Sequence, residues 1–217
     1  MLPMPMPPTT HSSSSKYSGK VFLAVTGASG ALYGVRTLQM LVEAEVRVDV
    51  CYSPAAERVL KTECGLDLES GLATLLGSEK NTEQVRLLDH SDIGAAPASG
   101  SSDIQAVAIV PCSLSTLSGV ASGLASNLIE RAAQVALKES RTLVLVPRET
   151  PLSRTHLDQM SRLAWAGSIL LPACPGFYHG PKSVEDLVDH LCSKILGTLG
   201  IEQNRVPAWE GEIFSSP

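Results

Sequence analysis

Four polar clusters in this chain each follow a short, mostly apolar run, and their residue types suit an anionic ligand. Gly27-Ala28-Ser29-Gly30 follows KVFLAVT. Glycine permits a tight turn and close approach of a ligand to the backbone, and N–H groups at a helix start favour phosphate. The same spacing also serves as a purely structural turn, and it is not G-x-G-x-x-G. Ser53 follows the alternating Val46–Cys51 run and precedes Pro54, which suits a capped helix start. Ser113-Leu114-Ser115-Thr116 follows AVAIV and its Pro-Cys end. These hydroxyls can cap a helix, or hydrogen-bond a polar ring or phosphate. Arg148-Glu149 follows TLVLV and Pro147. A guanidinium can clamp phosphate through paired hydrogen bonds, and a carboxylate can exchange a proton if its surroundings raise its pKa. An ion pair or helix cap is the structural alternative for this pair.

Other residues carry weaker signals. Arg131 and Lys138 are seven positions apart, two helical turns, and so share a face. Glu130, Lys138 and Glu139 also read as plain surface charges. Tyr178, in the constrained segment PACPGFY, can bond a substrate phosphate or anchor its own loop. A dehydrogenase would use an acidic residue near Asp49, nineteen positions after Gly30. Asp49 reads instead as a solvent-facing strand residue. Tyr178 and Lys182 have the Tyr-x-x-x-Lys spacing of short-chain reductases, but Gly180-Pro181 between them opposes the shared helix that pair needs. Ser113 lacks the G-x-S-x-G elbow of a serine hydrolase. His156 reads as a helix-surface residue and His179 as a loop residue. No obligatory metal is expected.

These clusters need a scaffold that brings them together. Apolar runs at Lys20–Thr26, Val46–Val50, Ala106–Val110, Thr142–Val146 and Ser168–Leu171 alternate with helical patterns at 31–43, 53–64, 115–123, 127–139, 155–166 and 183–199. Residues 67–102 read less clearly. Strands separated by helices predict a parallel sheet covered on both faces, with ligands beyond the strand carboxyl ends. The 217 residues suit one domain, with 44% apolar and 18% charged residues. That composition argues against disorder. A net charge of -5 with few basic clusters disfavours nucleic acid. No run reaches the ~18 apolar residues that span a membrane. The division expected is a flexible tail at 1–19, one α/β domain at 20–201 and an arm at 202–217 contacting a neighbouring subunit. Five scattered cysteines without a C-x-x-C pair argue against disulfides or structural zinc, and fit a cytoplasmic protein.

Several strings together resemble the UbiX-type flavin prenyltransferases, within the flavoprotein superfamily that includes flavin-dependent cysteine decarboxylases. They are TGASGALYG (26–34), DIGAA (92–96), PCSLSTL (111–117), NLIERAAQVALKE (127–139), LVLVPRETPLS (143–153) and LPACPGFYHGPKSVEDLV (171–188). The resemblance spans roughly residues 20–211. It implies a three-layer, Rossmann-like (flavodoxin-like) subunit in a homododecamer. The implied reaction joins the dimethylallyl group of dimethylallyl phosphate to N5 and C6 of reduced FMN, releasing phosphate. FMN is then the prenyl acceptor, and prenylated FMN would serve UbiD-type decarboxylases. Gly27, Ala28, Ser29, Ser53, Ser113, Leu114, Ser115, Thr116 and Arg148 match flavin-binding positions. Tyr178, Lys194, Arg131 and Lys138 match contacts to the donor phosphate. Glu63 and Glu149 match the acidic pair, with Glu149 delivering a proton to the leaving phosphate. Trp209 matches a tryptophan that covers a neighbouring active site. Lys194 stands where the family often has Arg, which keeps charge but loses the bidentate fork. Ser126 stands where it usually has Asp. The competing readings are a flavin-dependent decarboxylase of a cysteine-containing substrate and a non-catalytic flavin-binding regulatory subunit.

Overall fold

A computed structural model describes residues 19–66, 75–76, 83–203 and 205. Most of the expected tail and arm, Trp209 included, lies outside the described residues.

The elements run β1 (Lys20–Val25), α1 (Ala31–Glu43), β2 (Arg47–Tyr52), α2 (Pro54–Cys64), β3 (Val85–Leu88) and a single 3₁₀ turn at Ala96–Ala98. They continue with β4 (Ile104–Cys112), α3 (Leu114–Ala121), α4 (Leu128–Lys138), β5 (Thr142–Pro147), α5 (Arg154–Trp165), β6 (Ile169–Leu170) and α6 (Val184–Thr198). The strands form one sheet in the order β3-β2-β1-β4-β5-β6, and every neighbouring pair is parallel. This is the expected α/β class.

The strand alternation sorts the core into two layers. Val21, Leu23 and Val25 of β1 point to one face, where they join Leu38 and Leu41 of α1, Leu60 of α2 and Leu191 and Ile195 of α6. Phe22 and Ala24 point to the other, with Leu117 of α3, Leu128 and Ile129 of α4 and Leu163 of α5. Helices therefore cover both faces, which is why the central runs are apolar at nearly every position. Burial pushes the Cys51, Cys112 and Cys192 thiols up to about 12, so these are small core residues rather than reactive thiols. All five cysteines are unbridged.

The topology also sets the site. Successive strands step away from β1 in one direction through β2 to β3, and from β4 in the other through β5 to β6. The switch point lies between β1 and β4, where open parallel sheets form a ligand crevice beyond the carboxyl ends. Gly27–Gly30 and Ser113–Thr116 follow those two strands.

Three local expectations differ from the structure. β4 runs through Pro111 to Cys112, past the expected stop at Val110. β3, within the unclear 67–102 stretch, pairs with β2 from Val48↔Val85 to Cys51↔Leu88. Its four residues alternate too little to stand out, because it is a half-exposed edge strand. Asp49 is not solvent-facing: it is 1% exposed and accepts from Arg86 Nε (3.1 Å) and a terminal guanidinium nitrogen (2.7 Å), with Lys20 Nζ 3.7 Å away. The unrecognised β3 supplies that arginine.

Candidate active site

The carboxyl edge is built from loop chemistry upward. Gly30 takes φ +100°, a left-handed conformation, as the chain turns from β1 into α1. A side chain at Gly27 would collide with Ala55 at the start of α2, so that position is limited to glycine by packing. Gly30 itself brings no side chain to cap α1. Glu63, in the last turn of α2, does so: its Oε2 accepts from Gly30 N and Ala31 N, both at 2.9 Å. Partial burial raises the Glu63 pKa, but the Ser29 hydroxyl, the two N–H groups and Arg148 outweigh it and hold it below the usual carboxylate value. Glu63 is thus an ionised cap that occupies the N–H groups read from sequence as a phosphate seat.

Arg148, just past β5, donates from Nε to the Ser29 carbonyl at 2.9 Å. Ser29, Glu63 and Arg148 therefore form one cluster from three distant segments. Glu149 is exposed, and its Oε1 accepts from Thr150 N at 3.0 Å.

The hydroxyls at the other strand ends act as caps. Ser53 Oγ accepts from Ala56 N at 3.2 Å at the start of α2. Ser113 Oγ accepts from Thr116 N at 3.3 Å and lies 3.0 Å from Thr116 Oγ1. Leu114 and Ser115 begin α3 behind that cap. Sequence reasoning missed Thr26, which joins the two central strand ends. Its hydroxyl donates to Pro111 O at 2.8 Å and accepts from Ser113 N at 2.7 Å, and the side chain is buried. A lone Thr closing an apolar strand was the only trace of it in the sequence.

Tyr178 lies in the loop after β6 and is half exposed, with its hydroxyl 3.1 Å from His190 Nε2 of α6. His179 stacks on His190 with centroids 4.7 Å apart and planes 5° apart. Lys194, one turn further along α6, is exposed and close enough to depress the His190 pKa after burial and His179 have done so. His190 is a second residue that sequence reasoning missed, since it falls on the buried face of an ordinary amphipathic helix.

Arg131 and Lys138 go elsewhere. Arg131 Nε donates to Ala98 O at 3.1 Å, and Lys138 pairs with Glu139 beside Gly100. Arg131 reaches the 3₁₀ turn between β3 and β4, and Lys138 the segment just before β4. Lys138 precedes β5 and Arg148 follows it, and a six-residue strand spans ~20 Å. One chain therefore does not bring Lys138 to its own Arg148. Glu130, read as a surface charge, is buried: Oε2 accepts from Ser126 N at 2.9 Å, while Asn127 Oδ1 caps Glu130 N at 3.0 Å. The Ser126 contact is made by its backbone N–H, which does not depend on the side chain that departs from the family. His156 also caps, accepting at Nδ1 from Ser153 N at 3.2 Å.

Among the described residues, no group of three or more His, Cys, Asp or Glu is arranged to hold a metal. No helix among them is long and apolar enough to cross a membrane.

Residues 9–196 match the Flavoprotein family model. The flavin prenyltransferase UbiX of Pseudomonas aeruginosa is 50% identical over 197 residues, covering 88% of this chain and 93% of the relative. The crystal structure of AnUbiX (PadA1) in complex with FMN and dimethylallyl pyrophosphate aligns with TM-score 0.82 and 34% identity, covering 89% of this chain and 98% of that one. A dodecameric FMN-dependent UbiX-like decarboxylase from Escherichia coli O157:H7 aligns with TM-score 0.79 and 36% identity, covering 89% and 100%. Strand-end chemistry, sheet topology and these likenesses agree: the chain belongs to the flavoprotein family and, within it, to the UbiX flavin prenyltransferases.

Proposed function

We propose that this protein joins the dimethylallyl group of dimethylallyl phosphate to N5 and C6 of reduced FMN, releasing phosphate and yielding prenylated FMN for a UbiD-type decarboxylase. The observation that carries this reading is the Ser29–Glu63–Arg148 cluster beside the β1/β4 switch point. A flavin fits that edge, which offers a glycine turn, the hydroxyls of Ser29, Ser53, Ser113 and Thr116, and the Arg148 guanidinium. Gly27, Ala28, Leu114 and Ser115 complete its contacts through the backbone and the start of α3. When bound, the reduced flavin supplies the nucleophilic N5 and C6.

The protein's own groups do the rest. Arg148 holds the flavin and faces its negative charge. Glu149 delivers a proton to the departing phosphate, which makes that phosphate a better leaving group. Glu63, held ionised, orients the loop beneath the flavin and assists proton transfer there. Tyr178 and Lys194 bind the donor phosphate. Preorganised positive charge there is worth more in the transition state, where the leaving group carries more negative charge.

Arg131 and Lys138 serve a neighbour's site in a homododecamer; for Lys138 the length of β5 separates it from its own Arg148. Trp209, on the arm after 202, covers a neighbouring site in the same assembly. Residues 20–201 form the catalytic domain and 1–19 a flexible tail. The unbridged cysteines favour a reducing cytoplasm.

Anaerobic incubation with reduced FMN and dimethylallyl phosphate, followed by mass measurement of the flavin, tests the reading. A flavin heavier by one prenyl unit is expected. Glu149→Gln should lower turnover by about 100-fold or more while FMN affinity holds. An unmodified flavin, or decarboxylation of a cysteine-containing peptide without a prenyl donor, sinks the reading in favour of the decarboxylase alternative. Tight flavin binding with neither reaction favours the regulatory one.

A further inference from the structure

His190 bridges two partners of different kinds. Gly176 N donates to its Nδ1 at 3.3 Å, and the Tyr178 hydroxyl lies 3.1 Å from its Nε2. A backbone N–H can only donate, so Nδ1 must carry a lone pair, and the neutral ring then bears its proton on Nε2. That neutral form is favoured: burial, then His179, then Lys194 hold His190 below the usual histidine pKa. Nε2–H therefore donates, and the Tyr178 oxygen accepts. In that arrangement the Tyr178 hydroxyl proton is not used in the bond to His190.

We infer that His190 is a positioning residue, which fixes the Tyr178 hydroxyl so that its proton is presented to the phosphate of the prenyl donor. The inference rests on the reading of Tyr178 as a donor contact, and it adds a tautomer-specific reason for that contact to work. The setting suits such a role. His190 sits on the buried face of α6, held between the Gly176 backbone and the stacked His179 ring, so its own rotamer has little freedom. Tyr178 meets it edge-on, with ring centroids 5.4 Å apart and planes at 80°. The hydroxyl of an otherwise exposed ring is thus anchored from a buried helix. Rigid second partners of this kind save a ligand the cost of ordering the group that binds it.

The test uses the full-length protein with reduced FMN and dimethylallyl phosphate, comparing four single variants and one double variant. His190→Gln places an amide N–H near the position of Nε2. His190→Asn keeps an acceptor for Gly176 N but has no donor to reach Tyr178. His190→Phe keeps ring volume and loses both bonds. The expected result is a donor KM raised about fivefold in His190→Asn and His190→Phe, within about twofold of wild type in His190→Gln, and FMN affinity unchanged throughout. Tyr178→Phe should raise donor KM by about tenfold, and His190→Asn should add nothing further in the Tyr178→Phe background. If the two effects multiply, if Gln behaves as Asn does, or if FMN affinity falls with donor KM, His190 acts only structurally and the inference is overturned. If Tyr178→Phe leaves donor KM unchanged, the donor-contact reading of Tyr178 fails, and the role of His190 fails with it.

Discussion

Arg148 and Ser29 are 119 residues apart in the chain, yet the Arg148 Nε–H meets the Ser29 carbonyl at 2.9 Å. The bond crosses the carboxyl end of β4, because β4 lies between β1 and β5 in the sheet. It ties the glycine turn after β1 to the polar end of β5. Among the described residues the terminal guanidinium nitrogens have no partner, so the fork is available to an anion.

Arg148→Ala should weaken reduced-FMN binding by about 10- to 100-fold, since it removes a charged donor and the brace on the loop together. Arg148→Lys should fall between, because an ammonium lacks the planar fork. Flavin fluorescence titration measures both. Equal affinity in Ala and wild type would remove Arg148 from the flavin site.

Glu63→Gln should destabilise the protein at neutral pH by about 1 kcal/mol, or roughly 2–4 °C in Tm, as expected for weakening a helix cap. The pH dependence has a definite sign. The folded-state pKa lies below the ordinary 4.5, so the unfolded chain takes up a proton first as pH falls. The stabilisation is complete well above pH 4.5 and is lost as pH drops through the folded value. The Tm gap between Glu63→Gln and wild type should therefore close as pH falls below the lowered folded-state value. A gap that stays constant into acid would show that the charge on Glu63 is irrelevant to its capping.

Subunit complementation tests the shared site. Lys138→Ala and Arg148→Ala proteins should each be poorly active alone. Co-assembled in equal amounts, they should recover about a quarter of the wild-type sites, since each restored site takes Arg148 from one subunit and Lys138 from another. No recovery in mixed oligomers, confirmed as mixed by mass, would place both residues in the same chain's site.

Much of the scaffold was legible in local pattern. The apolar runs of β1, β4 and β5 and the helical spacing of α1, α4 and α6 are properties of short windows, and so they survive in a linear reading. The turn residues were legible for the same reason: Gly30 lies in the expected turn and takes a left-handed φ, and Ser53 and Ser113 each cap the helix that follows them. From these alone came the α/β class, the parallel sheet and the polar segments at its carboxyl edge.

Partnership was not legible, because it is set through space. Asp49 looked exposed until β3 brought Arg86 beside it, and Glu130 looked like surface charge until the Ser126 turn folded over it. Glu63 caps a helix thirty-three positions before it, a relationship that no window of sequence contains. Strand order decided that Ser29 and Arg148 would meet, and it also kept Lys138 at the far end of β5. The sequence by itself determined which segments form strands and helices and which residue types stand at their ends. The tertiary structure decided which of those residues share a site, since hydrogen bonds and charges act over a few ångströms regardless of distance along the chain.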